Sequence, residues 1–413
     1  MMQELLAKAR AQYQSGRLEL AAVSCKSIIR DNSTHAEALN LLGMIFHEKG
    51  DPARAAESFL RASEGAPGQP DYHCNLAAAY VAQHHYDLAI RACEKALRVN
   101  SDHVDARLNL GLALQESGQL ERAEREFRWA IGLRQDLSRA YRMLGDCLRV
   151  QGRINESLAA YQDAVKRDAG DGLALLSLGT MLLKLAEPGA AEPYLRRAAD
   201  LLPGMVLAWN NLGTCLLQLG REREALLALQ EGLRLKPNDA DLLVNVGLAW
   251  LACGYNRASE NCFNNVLGND PNHAPALIGL ANTQRACDRL ETAVQLYERA
   301  AQTDSTGDAG RGLAETLWDL GDVQAAVQVL RNAIALRPND PEIHVQLGRM
   351  LASGGDLDRA VDSLRTAMRF RPGHPGALVE LAQIVRGKLS SDEQILLEGA
   401  LRDRKSTRLN SSH

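Results

Sequence analysis

The chain has 413 residues, of which 46% are hydrophobic and only 4% aromatic, so its apolar surface is almost all Ala, Leu and Val and argues against a sheet-rich fold. A net charge of −4 offers no electrostatic footprint for nucleic acid, and no apolar run is long enough to span a bilayer. The N-terminus carries a charge every few residues and lacks the apolar segment of a secretory signal, and the eight cysteines contain no C-x-x-C pair, so reduced thiols in a cytoplasmic protein are expected, with no cofactor or metal.

In chain order, one pattern repeats. A small residue recurs every 34 positions, at Ala9, Gly43, Ala77, Gly111, Gly145, Gly179, Gly213, Gly247 and Ala281; one residue is then lost, and the register resumes at Ala314, Gly348 and Ala382. Seven positions after this anchor comes a glycine, at Gly16, Gly50, Gly118, Gly152, Gly220, Gly254, Gly321 and Gly355. Twelve after it comes Ala, as at Ala55 or Ala123, and sixteen after it a bulky residue, as at Phe59, Phe127, Tyr161, Phe263 and Tyr297. Prolines such as Pro67, Pro203 and Pro338 close several copies. Apolar residues spaced by three and four on both sides of the glycine predict two amphipathic helices per copy, with glycine ending the first and proline marking the link to the next. In one copy Gly310 replaces the large first-helix residue, and the poor helix formers of "TDSTGDAGRG" make that joint the expected weak point.

The pattern resembles the tetratricopeptide repeat: "WNNLGTCLLQLGREREALLALQEGLRLKPND" (Trp209 to Asp239) follows its signature almost position for position. The resemblance covers residues 2–374 in eleven copies, one of them 33 residues long, and implies an all-α solenoid, a right-handed superhelix of helix-turn-helix repeats. It further implies that the first helix of each copy lines a concave groove. With the anchor counted as position eight, helical spacing groups positions 2, 5, 6, 9, 12 and 13 on that face.

Position 6 reads Asn75, Asn109, Met143, Ser177, Asn211, Asn245, Gly279, Gly312 and Gln346. A ladder of primary amides can hold the C=O and N–H groups of an extended backbone without reading its side chains. Helices packed roughly 8–10 Å apart would meet about every third residue of an extended ligand, which advances roughly 3.3–3.6 Å per residue. Such a ladder resembles the inner groove of protein O-GlcNAc transferases; solvated amides common to the whole family are the alternative. Leu108, Leu112, Leu176, Leu183, Leu217, Val244, Leu248 and Leu251 predict an apolar groove floor, and Arg139, Arg142 and Arg149, opposed by Asp146, could take a carboxylate or phosphate. Position 5 reads Asn40, Cys74, Leu108, Arg142, Leu176 and Asn210, without the Lys of chaperone-carboxylate clamps, and the pair His84–His85 is expected to be a polar turn.

The residues predict a non-enzymatic scaffold that binds protein or peptide partners in extended conformation, with no nucleic acid and no membrane. The alternative is the substrate-recruiting arm of a transferase. Residues 375–402 begin a twelfth copy and then break the signature; Ser390 and Glu393 form a capping box that predicts a new helix through Leu401. This segment is similar to the one that follows the repeats in bacterial tetratricopeptide–sulfotransferase proteins. The final "DRKSTRLNSSH" (403–413) reverse-translates, with suitable codons, into a string that resembles a sequencing adapter. The expectation is that 403–413 belong to no fold and that the natural gene continues beyond codon 402.

Overall fold

The computed structural model describes residues 2–385, 390 and 392–397. Every described regular element is an α-helix. The chain divides into two compact units, Met1–Pro203 and Gly204–His413. In the first, six helix pairs run from Met2–Gln14 and Leu18–Asp31, through Ala36–Glu48 and Pro52–Gly65, to Gly172–Lys184 and Pro188–Leu201. In the second, five pairs run from Val206–Gln218 and Glu222–Leu235 to Pro341–Ser353 and Leu357–Phe370, followed by Pro375–Ile384. The all-α repeat fold is as the periodicity implies.

The pairs with a glycine anchor are held by one steric fit. A Cβ placed on Gly111 would lie 2.5 Å from the Phe127 ring, and one on Gly43 or Gly145 would lie 2.6 Å from Phe59 or Tyr161. Without a side chain at the anchor, the two helices come close enough for the bulky residue to be sealed between them; Phe127, Phe263 and Tyr297 have no exposed surface at all. Burying each such ring contributes roughly 1.5–3 kcal/mol. Where no aromatic stands at this position, Leu195, Leu229 and Leu364 take its place over Gly179, Gly213 and Gly348. The alanines twelve after the anchor are likewise fully buried. Ser157 and Ser259 substitute for them by donating their hydroxyls to the anchor carbonyls of Gly145 (2.7 Å) and Gly247 (2.8 Å), which leaves no buried polar group unpaired there.

The turn between paired helices has one backbone conformation whatever residue occupies it. All eight turn glycines have positive φ, from 69° at Gly220 to 88° at Gly355. In the three copies without glycine, His84, Ala186 and Asp288 take the same left-handed conformation, at 59°, 58° and 60°. The pair His84–His85 does fall in a turn, with the His84 ring 2.8 Å from the Tyr86 hydroxyl.

Between copies, histidine has a role that the repeat signature does not advertise. His35, His103, His273 and His374 each accept, through Nδ1, the backbone N–H three residues on, and so cap the next first helix; Asp171, Asp239 and Asp340 cap the corresponding helices with carboxylates. With Nδ1 accepting, the proton sits on Nε2, which in His103 donates to Asp71 (2.8 Å) and in His374 to Glu342 (2.9 Å).

The joint expected to be weak is tied down. Its second helix stops early, at Ala301, and the Asp304 carboxylate accepts from the backbone N–H groups of Thr306 (2.7 Å) and Ala309 (2.8 Å), which starts the helix Asp308–Asp319 despite Gly310. Burial pushes this carboxyl up, but the bonds from Thr306 and from the Ala309 and Gly307 N–H groups outweigh it and hold it below the usual range. The predicted capping box is also formed: Ser390 N–H donates to Glu393 Oε2 (2.8 Å), and Glu393 N–H donates to Ser390 Oγ (3.3 Å). The following helix is described over 392–397. Its predicted end at Leu401 and the whole of 403–413 lie outside the described residues.

Two substitutions of opposite sign test this account. Gly111→Ala should destabilise the chain by about 1–3 kcal/mol, because the added methyl enters the Phe127 ring. Ala186→Gly should stabilise it by about 1 kcal/mol, because the left-handed turn disfavours a Cβ by more than glycine loses in chain entropy. Denaturant unfolding of the two variants beside the native chain checks both signs.

Candidate functional site

The first helices carry the candidate residues, and the fit between anchor and bulky residue sets how they are presented. Within the first unit, Asn75 and Asn109 line one cavity of about 390 Å³ together with Glu48, Asp71, Asp105, His103 and Arg139. Three carboxylates against one guanidinium make this cavity acidic.

Neither asparagine is simply solvated. Asn75 Nδ2 donates to Oδ1 of Asn40, position 5 of the preceding copy, at 2.9 Å. Asn109 Nδ2 reaches the Cys74 carbonyl oxygen and sulfur, again position 5 of the preceding copy, both at 3.3 Å. In the second unit Asn245 repeats the arrangement, with Nδ2 donating to Asn210 Oδ1 at 2.8 Å and to Thr214 Oγ1 at 3.2 Å. Asn211 is half-buried in the first helix of its copy. The amide at position 6 therefore ties one copy to the next, and part of its hydrogen-bonding capacity is spent inside the protein. In the copy after Asn245 the ladder stops for a steric reason. A Cβ at Gly279 or Gly312 would strike the ring of Phe263 or Tyr297 from the preceding copy.

The apolar floor is less open than the sequence suggests. Leu108 has no exposed surface, and Leu176 and Val244 are buried at 6% and 7% exposure. Leu112, Leu183, Leu217, Leu248 and Leu251 are half-buried. Position 5 side chains are covered by the first helix of the following copy, which helical spacing within a single copy does not reveal.

The three arginines do not form one cluster. Arg139 is exposed and lies 4.0 Å from Asp105 of the preceding copy, so Asp146 is not the only opposing carboxylate. Arg142 is half-buried and pairs with Asp146 at 3.3 Å. Arg149 is exposed, and the buried Tyr161 hydroxyl donates to Asp146 Oδ1 at 2.7 Å. Burial and the neighbouring Asp146 push the Tyr161 phenol up to about 12. Arg139 and Arg142, with Leu112, also line a second, smaller cavity of about 140 Å³.

All eight cysteines are free, and Cys25, Cys74, Cys93, Cys147 and Cys215 are buried. Burial raises the Cys25 thiol to about 11 and the Cys74 thiol to about 12. Among the described residues, no helix is long and apolar enough to cross a membrane.

Comparison with known proteins agrees with this repeat geometry. Tetratricopeptide-repeat models match residues 6–70, 70–103, 108–172, 176–240, 276–308 and 311–375. The chain belongs to the tetratricopeptide repeat family. Its curated relatives include the human protein O-mannosyl-transferase TMTC3, 26% identical over 198 residues that make up 44% of this chain and 22% of the relative. Another is tetratricopeptide repeat protein 8 of Caenorhabditis elegans, 25% identical over 38% of this chain and 31% of the relative. The chain thus spans less than a third of the length of these relatives. Among solved structures, yeast Tom70 shares the fold with a TM-score of 0.52 at 12% identity, over 94% of this chain and 95% of that one.

The inter-copy amide bond has a measurable signature. A double-mutant cycle of Asn40→Ala and Asn75→Ala should give a coupling of about 0.5–1.5 kcal/mol in unfolding free energy, whereas independent, solvated amides would give additive effects.

Proposed function

We propose that the chain is a protein-interaction scaffold whose first-helix faces hold partner segments in extended conformation, and that Asn75, Asn109, Asn211 and Asn245 contact the partner's backbone. The observation that carries this reading is the cavity shared by Asn75 and Asn109. Each has its Nδ2 anchored on the preceding copy. The amide plane is thereby fixed in advance, and a fixed amide loses little freedom when it binds. The partly buried Leu112, Leu217 and Leu248 supply apolar contact beside the amides, with Leu176 beneath them. Arg139, Arg142 and Arg149 add local positive charge on the fifth copy. In the cavity itself, Glu48, Asp71 and Asp105 against Arg139 favour segments that carry Lys or Arg.

A second reading, the recruiting arm of a transferase, is favoured by the match to a fraction of an O-mannosyl-transferase. On that reading the same faces present substrate segments to a catalytic domain, and the groove chemistry is unchanged.

The test of the groove uses short random peptides displayed as a library and selected on the full chain. Peptides so obtained should lose about tenfold in affinity when Asn75 and Asn109 are both changed to Ala. The loss should be similar for peptides of unrelated sequence, because backbone contacts are blind to side chains. Unchanged affinity in a variant that remains folded by circular dichroism would show that the asparagines serve only to join the copies.

A further inference from the structure

We infer that a cavity in the second unit is a site for a second molecule of this chain, with Leu227 of each chain entering the cavity of the other. The inference goes beyond the groove reading and does not rest on it. The cavity holds about 950 Å³ and is lined from the seventh copy, within 220–230, and from the eighth, within 250–258.

Two exposed side chains in the lining are not what the repeat asks for. Fourteen positions after the anchor the second helix turns its residue to solvent, and in most copies that residue is polar, as with Glu57, Arg91, Arg125, Asn261 and Asp362. In the seventh copy it is Leu227, 65% exposed. Eight positions after the anchor every other copy carries a charged or polar residue, and Asp51, Asp322 and Asp356 use it to cap the second helix. In the eighth copy it is Tyr255, 60% exposed and without a capping bond. Its ring meets that of the half-buried Trp250 edge to face, with 5.4 Å between centroids. Leu226, Cys253 and Ala258 add to the apolar lining. Exposed apolar surface gathered around a recess marks an interaction site, and Tyr and Trp are favoured there. Trp129 is exposed too, but it has an internal partner: the buried Arg107 guanidinium lies 3.6 Å over its ring.

The patch is complementary to itself, and this selects the occupant. It carries a protruding leucine and a recess side by side, so a two-fold axis beside them lets each chain fill the other. Its charges agree with that arrangement. Arg221 is spent on Glu224, with two bonds of 2.7 Å. Arg223 and Glu222, also in the lining, pair with no group among the described residues. The same axis can bring each Arg223 to the Glu222 of the other chain. A partner of a single charge sign would satisfy one of these groups and repel the other.

Sedimentation of the full chain over about 1–500 µM tests the assignment. It should show a reversible monomer–dimer equilibrium with a Kd of about 1–100 µM, because twelve lining residues are about half of what a standard-size interface takes from each side. Leu227→Glu should weaken association by about thirtyfold or more. Glu57 occupies the same position of the second copy, so the fold accepts that residue, and an unchanged circular dichroism spectrum checks it. Arg223→Glu and Glu222→Arg should each weaken association about tenfold, since each sets like charges against each other twice. An equimolar mixture of those two variants should recover the native Kd, because only the mixed pair restores opposite charges across the axis. A single-chain mass at every concentration would overturn the assignment and leave the cavity to a different protein. A dimer indifferent to Leu227→Glu, or charge variants that associate no better mixed than alone, would overturn it too.

Discussion

The contact on which most copies depend is that between an anchor with no side chain and the bulky residue, ring or leucine, packed over it. Gly43 under Phe59, Gly111 under Phe127 and Gly145 under Tyr161 leave no room for even a methyl group, and this fixes how close the two helices of a pair lie. Interiors are close-packed and do not absorb an extra carbon without shifting something larger. Because the fit repeats from copy to copy, the first helices are presented in the same register, and position 5 of one copy meets position 6 of the next.

That meeting gives the asparagines a role in joining the copies that is compatible with the proposed one in binding. An amide has more hydrogen-bonding capacity than one neighbour can use. Asn75, Asn109 and Asn245 spend part of it on the preceding copy, and Asn75 and Asn109 also line one cavity. A family preference for Asn and a ligand-binding role are therefore not competing explanations. The bond that joins the copies also orients the group that would hold a partner. Where the ring of the previous copy already fills the space, at Gly279 and Gly312, the ladder stops.

The turns show how far a repeated conformation can outlast the residue that suits it. His84, Ala186 and Asp288 occupy the left-handed region at an energetic cost, because the two helices they join are fixed by the packing on either side. The joint with the missing residue shows a related tolerance. Asp304 accepts the N–H groups of Thr306 and Ala309 ahead of it, so the helices Leu290–Ala301 and Asp308–Asp319, each of 12 residues, are shortened at the joint and the following pair still forms.

The period of 34 residues, the anchor, the turn glycines and the bulky residue were all legible, because each is a local steric demand that repeats and so announces itself. The capping box at Ser390 and Glu393 was legible for the same reason: its partners are three residues apart. The helix-capping histidines were missed because His shares that place with Asp, Gln, Leu, Met and Gly, and no single residue type marks it. The sequence could not say that Leu108 and Leu176 are covered while Leu217 and Leu248 are only partly so. Nor could it say that Arg139 faces Asp105. All of these depend on residues some 27 to 35 positions apart brought together by the stacking of one copy on the next. Periodicity determined the repeats of this protein, and only the packing of one repeat on the next decided which of their polar groups are spent inside it.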